Sequence, residues 1–420
     1  MHRQAHFHRR LYPPYILILA SHVFFLIAAF VLDTPQNIWQ GFWRIQFSRS
    51  ILITDYMQIG GVGATLVNAA IVGGFGVFLM LLAGVKPNGA TIMALWLTSG
   101  FAFFGKNIFN MIPLIVGVWL YARYQREPFL NYSLASLLIA TLCPVVSEIS
   151  FLGVFSRGQG IAIGVLLGIA IGFLFPAISS YVVRVHDGYN LYSMGFAGGL
   201  IAMFLISILK SVGIVVEPEL HWHTGSNLPF AVFLYILSAG LIVAGFVLGR
   251  GQKHGTNLKK MYSLSGRLVS DFHLLFEETI YINMGLLGFF ATTLVLALGA
   301  DLNGPTIAGI FTIIGFGSFG KHLKNCLPVV AGAVLCGYFN TLGFTSPSNI
   351  LAILFSTGLA PIAGHFGWFW GVVAGFLHVN IVIHAGYLSN GLNLYNNGFA
   401  AGFVALLLVP VILTFKRVEE

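Results

Sequence analysis

A chain of 420 residues that is 57% hydrophobic and 8% charged, with a mean hydropathy of +0.87, has too few polar side chains to form the water-facing surface of a soluble domain. It reads as a polytopic membrane protein with room for about a dozen spans of about 20 residues each. The formal net charge of +8 is concentrated in a few loops, where it marks topology before it marks any partner, and nothing in it points to nucleic acid.

The chain opens with MHRQAHFHRR, a basic head before an apolar run over about 11–32. That run is long for a signal peptide and has no convincing small-residue cleavage site, so it reads as an uncleaved first helix with a cytoplasmic head. His2, His6 and His8 fit an anionic-lipid anchor better than a metal site. Residues 35–57, with Trp39, Trp43, Arg44 and Arg49, read as an interfacial segment. Six apolar segments follow at 59–84, 88–104, 108–124, 133–149, 160–182 and 191–211. A seventh, 227–249, leads into a basic loop from Arg250 to Lys260. Six more recur at 280–300, 303–319, 323–340, 347–364, 367–385 and 394–415. The expected divisions are 1–50 (head, first helix and interfacial segment), 51–215 (first repeat), 216–270 (outer loop, linker helix and basic loop) and 271–420 (second repeat).

The repeat is read from matched residues. Residues 88–117, NGATIMALWLTSGFAFFGKNIFNMIPLIVG, align without a gap to 303–332, NGPTIAGIFTIIGFGSFGKHLKNCLPVVAG, 215 positions further on. Lys106 falls on Lys321, Asn107 on His322 and Asn110 on Asn325. Gly164, Gly168 and Gly172 match Gly367, Gly371 and Gly375, small-residue ladders that let helices approach closely in lipid. Pro144 matches Pro361, and Glu148 falls opposite His365.

Lysine and arginine placement orients the chain. With the head inside, the stretch Tyr121 to Arg126 and the loop Arg250 to Lys260 fall inside, Phe155 to Gln159 falls outside, and the C-terminal Lys416 and Arg417 return inside. An odd number of crossings separates equivalent points, so the two copies are expected to be inverted, the usual construction of secondary transporters. The predicted fold class is an all-α polytopic membrane protein with two inverted-topology repeats of about six helical segments each, some short or broken. Its expected place is the cell's inner (plasma) membrane, multi-pass, with both termini cytoplasmic.

Segments 88–104 and 108–124 hold about 17 residues each, near the lower limit for a span, and only Gly105, Lys106 and Asn107 separate them. Paired breaks in corresponding positions point to a transport site. Free N–H groups at the start of 108–124, a flexible glycine and an ammonium group together favour an anion. The plain alternative is a pair of lysines that snorkel to the headgroups, Lys321 with Lys324 enforcing a cytoplasmic turn. Asn190 and Asn393 can cap the helices that follow them, and Tyr192 and Tyr395 add polar groups at the mouth of an apolar path. In the inverted arrangement Lys106 shares one face with the Asn393 stretch and Lys321 shares the other with the Asn190 stretch, which predicts one site per side. Glu148 and His365 are candidates for coupling, whereas His378 and His384 are as well explained by hydrogen bonds to neighbouring helices.

Catalytic motifs are largely missing. Gly315 to Gly320 spells G-x-G-x-x-G, but it lies in a span with no strand before it and reads as helix packing. Glu219, His221 and His223 are too few for a metal site, Cys143, Cys326 and Cys336 have no zinc or disulfide spacing, and no cofactor is expected. The duplicated pattern, with N-L-Y-x-x-G-F-A at 190–197 and 393–400, resembles an uncharacterised bacterial integral-membrane family known only as a domain of unknown function. That resemblance implies no activity. More loosely it is similar to the urea-channel class, which also uses inverted repeats; a lysine in each half and the lack of proline-rich pore signatures argue against urea itself. The expected function is transport of a small polar solute, an anion by preference, between the repeats, not an enzyme activity. A passive channel for a neutral solute is the alternative, and an intramembrane enzyme a more distant one. The expected partners are the bilayer and a small-molecule or ion substrate, with homo-oligomerisation left open.

Overall fold

The computed structural model describes residues 12–268 and 270–419; His2, His6 and His8 lie outside them. The chain begins with α1 (Pro13–Leu32), whose paired prolines occupy the first helical turn, where no backbone N–H is needed. In α2 (Pro35–Gln46), Thr34 accepts from the Asn37 amide, Ile38 and Ile45 are buried, and Trp39 and Trp43 are exposed. An amphipathic helix with outward tryptophans is suited to lie along the interface, as expected from its sequence.

Then come α3 (Tyr56–Gly60), α4 (Val62–Leu82), α5 (Gly89–Phe101) and α6 (Ile108–Tyr124). Helices α7 (Ser133–Leu138) and α8 (Cys143–Phe151) form one interrupted rod, with a 3-10 turn over Ile139–Leu142, before α9 (Arg157–Val185) and α10 (Ser193–Ser211). The second half repeats this order. It comprises α11 (Asn227–Leu248), α12 (His254–Met261), α13 (Phe272–Phe276), α14 (Thr279–Ala297), α15 (Gly304–Phe316) and α16 (Leu323–Phe339). The rod α17 (Pro347–Phe355) and α18 (Ala360–Phe366) breaks over Ser356–Leu359, and α19 (Trp368–Ser389) and α20 (Asn396–Glu419) complete the chain. Helix α11 packs on α14 as α1 packs on α4, so the correspondence runs through both halves from their first helices.

Among the described residues, ten stretches are long and apolar enough to cross a membrane, the two interrupted rods included. This is a multi-pass membrane protein of two repeats. Helices α5 and α15 differ from the expected spans at 88–104 and 303–319: each helix has 13 residues, about 20 Å, short of a roughly 30 Å core. They are half-helices, and every α15 residue and all but one of α5 are buried. Backbone that ends at membrane depth needs such protein cover, since no water is there to satisfy it.

The half-helices also establish the inversion. Ser318, just past the end of α15, donates to Gly89 O at the start of α5 (2.9 Å), while the start of α15 at Gly304 lies against Phe103 O just past the end of α5. Equivalent helices that meet start to end are antiparallel, so the axis relating them is perpendicular to both. Near the same axis the first turns of α10 and α20 cross, Gly195 against Gly398, with the Phe196 and Phe399 rings 5.9 Å apart.

Five of the six ladder glycines are buried contact points. A Cβ at Gly168 would stand 2.6 Å from Val146 Cγ2, and one at Gly371 would stand 2.6 Å from Ala363 Cβ. Gly367 is the exception. It has φ +98 and open space around it, so it ends α18 and starts α19 in a conformation that suits glycine.

Candidate functional site

The sequence between α5 and α6 must reverse a buried chain within a few residues. Gly105 (φ +80) and its counterpart Gly320 (φ +104) make this possible, since side-chain-bearing residues rarely adopt that backbone conformation. The amides of Lys106 and Lys321 return to Phe101 O (3.2 Å) and Phe316 O (2.9 Å). Two further break carbonyls in each repeat are taken by an asparagine from the neighbouring span. Asn68 donates to Ala102 O and Lys106 O at 2.8 and 2.9 Å, and Asn283 donates to Gly317 O and Lys321 O at 2.8 Å each.

The breaks aim both lysines inward. Lys106 and Lys321 are wholly buried, whereas Lys324 is exposed, so only the last behaves as a snorkelling lysine. Lys106 Nζ donates to the Tyr395 hydroxyl (2.5 Å) and lies 4.8 Å from that ring's centre and 5.4 Å from that of Phe101. Lys321 Nζ donates to the Tyr192 hydroxyl and to Thr357 Oγ1 (2.8 Å), and sits 4.5 Å from the Tyr192 ring and 4.9 Å from Phe316. Each lysine thus meets a tyrosine of the other repeat. Neither forms an ion pair among the described residues. A buried ammonium costs several kcal/mol to desolvate, and hydroxyl and π contacts offset only part of that.

The tyrosines are held by the Asn-Leu-Tyr loops. Asn190 accepts from Tyr192 N and donates to Gly398 O (2.9 Å each); Asn393 accepts from Tyr395 N (3.2 Å) and donates to Gly195 O (3.0 Å). The 3-10 turns press Thr141 and Thr357 against these loops, but the two threonines differ in use. Thr141 Oγ1 donates to Asn393 Oδ1 (2.6 Å) and receives Tyr395 N (3.1 Å), while Thr357 joins Lys321 and Tyr192.

Other expected site residues serve the scaffold. Asn107 and Asn110 form a capping box at the start of α6, and His322 and Asn325 do so for α16. Gln46 accepts from Phe109 N (3.4 Å), so the first turn of α6 is not the open N–H cluster that was expected. Glu148 is buried and bound by Arg49 (Nε to Oε1, 3.1 Å), which also holds Glu219. His365 is exposed, bonds the Tyr189 hydroxyl at 2.5 Å and stacks on Phe366. The structure does not bring Glu148 and His365 together.

In place of one site per side, both tyrosines line a single cavity of about 180 Å³ on the axis between the repeats. Its walls include the equivalent pairs Phe101 and Phe316, Leu191 and Leu394, and Tyr192 and Tyr395. It extends toward Leu268 and Ser193. A second cavity of about 340 Å³ holds the corresponding residues Leu52 and Asn396, together with Glu219 and Gly386. The correspondence is visible in the backbone: Leu52 N donates to Gly391 O (3.0 Å) as Leu268 N donates to Gly188 O (3.1 Å). Asn397 lines both cavities, its Oδ1 3.1 Å from His378 Nε2.

Sequence reasoning missed two aspartates that complete the frame. Asp55 accepts from Met57 N (2.9 Å), His223 N (3.0 Å) and Gly304 N (3.3 Å), and Asp271 accepts from Leu274 N and Gly89 N (3.0 Å each). Each therefore caps a short helix of its own repeat and the half-helix of the other. Burial pushes the Asp55 carboxyl up to about 7, against the pull of the three N–H groups that hold its charged form. The available signal was spacing: Asp55 and Asp271, like Thr141 and Thr357, lie 216 apart, and Asn68 and Asn283 lie 215 apart.

Inverted repeats, paired half-helices and a cavity on their axis define a duplicated multi-pass membrane protein. A family model described as protein of unknown function (DUF1576) matches residues 34–211 and 251–414, and the chain belongs to that family. One match falls in each half and begins after that half's first helix, α1 or α11. No curated protein and no solved structure matches the chain.

Proposed function

We propose that the protein is a secondary carrier of a small anion, with one central site between the repeats. The observation that carries this reading is the pair of buried lysines, each donating to a tyrosine of the opposite repeat at the wall of one cavity and neither paired with a carboxylate. A phenol whose oxygen accepts from an ammonium group is a stronger donor through its own O–H, so an anion at the tyrosines is bound by a charge-assisted network. Two related cavities that meet at Asn397 fit alternation between two openings around a fixed site.

The test is uptake by proteoliposomes holding purified protein. Lys106→Met and Lys321→Met each lower anion flux by about tenfold or more, the scale of one lost charge-assisted bond. Lys106→Arg restores little, because the planar guanidinium does not fit the space between Tyr395 and Phe101. Wild-type anion flux through both methionine variants defeats the carrier reading, and equal flux of a neutral solute through them favours the channel.

A further inference from the structure

The cavity's lining limits what kind of anion fits. Met93, Leu97, Phe101, Leu138, Phe316 and Phe355 make its walls apolar. Its few other polar side chains are largely engaged: Thr312 donates to Ala308 O (2.7 Å) and Asn397 Oδ1 is held by His378. Beyond the Asn397 Nδ2 group, donor capacity is therefore concentrated at the Lys–Tyr pairs, and the two pairs are unequal. Lys321 has a second acceptor in Thr357, whereas Thr141 is turned away to Asn393, and among the described residues Tyr395 is the one hydrogen-bond acceptor of Lys106. At about 180 Å³ the space is below the roughly 300–1,000 Å³ of pockets that hold drug-sized ligands.

Building on the carrier reading above, we infer that the site takes a monocarboxylate with an apolar body, branched aliphatic or aromatic. Its carboxylate accepts from the Tyr395 hydroxyl that Lys106 polarises, and its body lies against Leu97, Phe101, Leu138 and Phe316. Sulfate, hydrogen phosphate or a polyol would exchange a full hydration shell for one or two donors and an apolar wall, which is unfavourable. An apolar body gains from that same wall.

The experiment is calorimetric titration of the full chain in nanodiscs with acetate, butyrate, 4-methylpentanoate, benzoate and inorganic sulfate, paired with uptake of the same compounds into proteoliposomes. Affinity is expected to rise about fourfold for each buried methylene from acetate to 4-methylpentanoate. Sulfate is expected to show no saturable binding. Tyr395→Phe should weaken 4-methylpentanoate by about tenfold, and Leu138→Asn should flatten the chain-length series. A flat series in the wild type, sulfate binding as tight as 4-methylpentanoate, or no binding of any carboxylate overturns the inference. The wild-type series needs no variant to fold. A rising series without uptake upholds the inference and defeats the carrier reading; acetate or sulfate uptake that is lost in Lys106→Met, with a flat series, does the reverse.

Discussion

At the scale of single residues, the half-helix breaks depend on side chains that stand in for water. Asn68 and Asn283 each satisfy two carbonyls that a chain reversal at membrane depth leaves open. Replacing Asn68 by Leu leaves both carbonyls without a donor, at about 1–3 kcal/mol each. Asn68→Asp is worse, because an acceptor then faces two acceptors. Thermal unfolding in detergent should place the variants in the order wild type, Leu, Asp, and equal stability of all three would remove this role. The lysines were visible in sequence because charge stands out against an apolar background. Asn68, Thr141 and the two aspartates were not, since single polar residues are common in such chains and their part depends on which carbonyl or amide the fold brings to them. Tyr395 was legible as a polar group but not as a lysine partner of unequal freedom, because the equivalent Thr141 and Thr357 are the same residue type and differ in the partners they bond.

At the scale of elements, close helix contact sets where the repeats tolerate change. A Cβ at Gly172 or at Gly375 would fall inside contact distance of a backbone carbonyl oxygen, that of Leu114 and of Val329 respectively. Backbone cannot give way as a flexible side chain can, so Gly172→Ala and Gly375→Ala must part α6 from α9 and α16 from α19. Overpacking of this kind costs about 1–3 kcal/mol. Gly240 in α11 is exposed with open space around it, and alanine there should be neutral or stabilise by about 0.5–1 kcal/mol, the gain in helix propensity. Unfolding midpoints of the three variants check this, and a Gly240→Ala as damaging as the other two would show that helix contact is not the cause. The ladders were legible because small-residue spacing is a local pattern. The true length of α5 was not: its apolar run continues to Phe104, yet the helix ends at Phe101, where Gly105 turns the chain and the Asn68 and Lys106 contacts hold the break.

At the scale of the whole molecule, the antiparallel meeting of α5 with α15 requires that equivalent elements face opposite sides of the membrane. Helices α2 and α12 are such equivalents, each following the first helix of its half and preceding the short capped helix. The inverted duplication was legible in sequence through matched stretches, 215 positions apart over 88–117 and 203 apart over 190–197, and through the odd crossing count, while the single shared cavity was not, because it is made by pairs of residues more than 200 positions apart. Gln36 in α2 and Thr256 in α12 are exposed, and the native Cys143, Cys326 and Cys336 are buried, so introduced thiols can be read against a quiet background. With the basic loop around Arg250 to Lys260 inside, an impermeant maleimide added to intact cells should label Gln36→Cys and should reach Thr256→Cys only after permeabilisation. Exchanged behaviour of the two would reverse the orientation and keep the inversion. Labelling of both from the same side would mean that the repeats are parallel, and the central site would then lose the symmetry on which alternation between two openings depends.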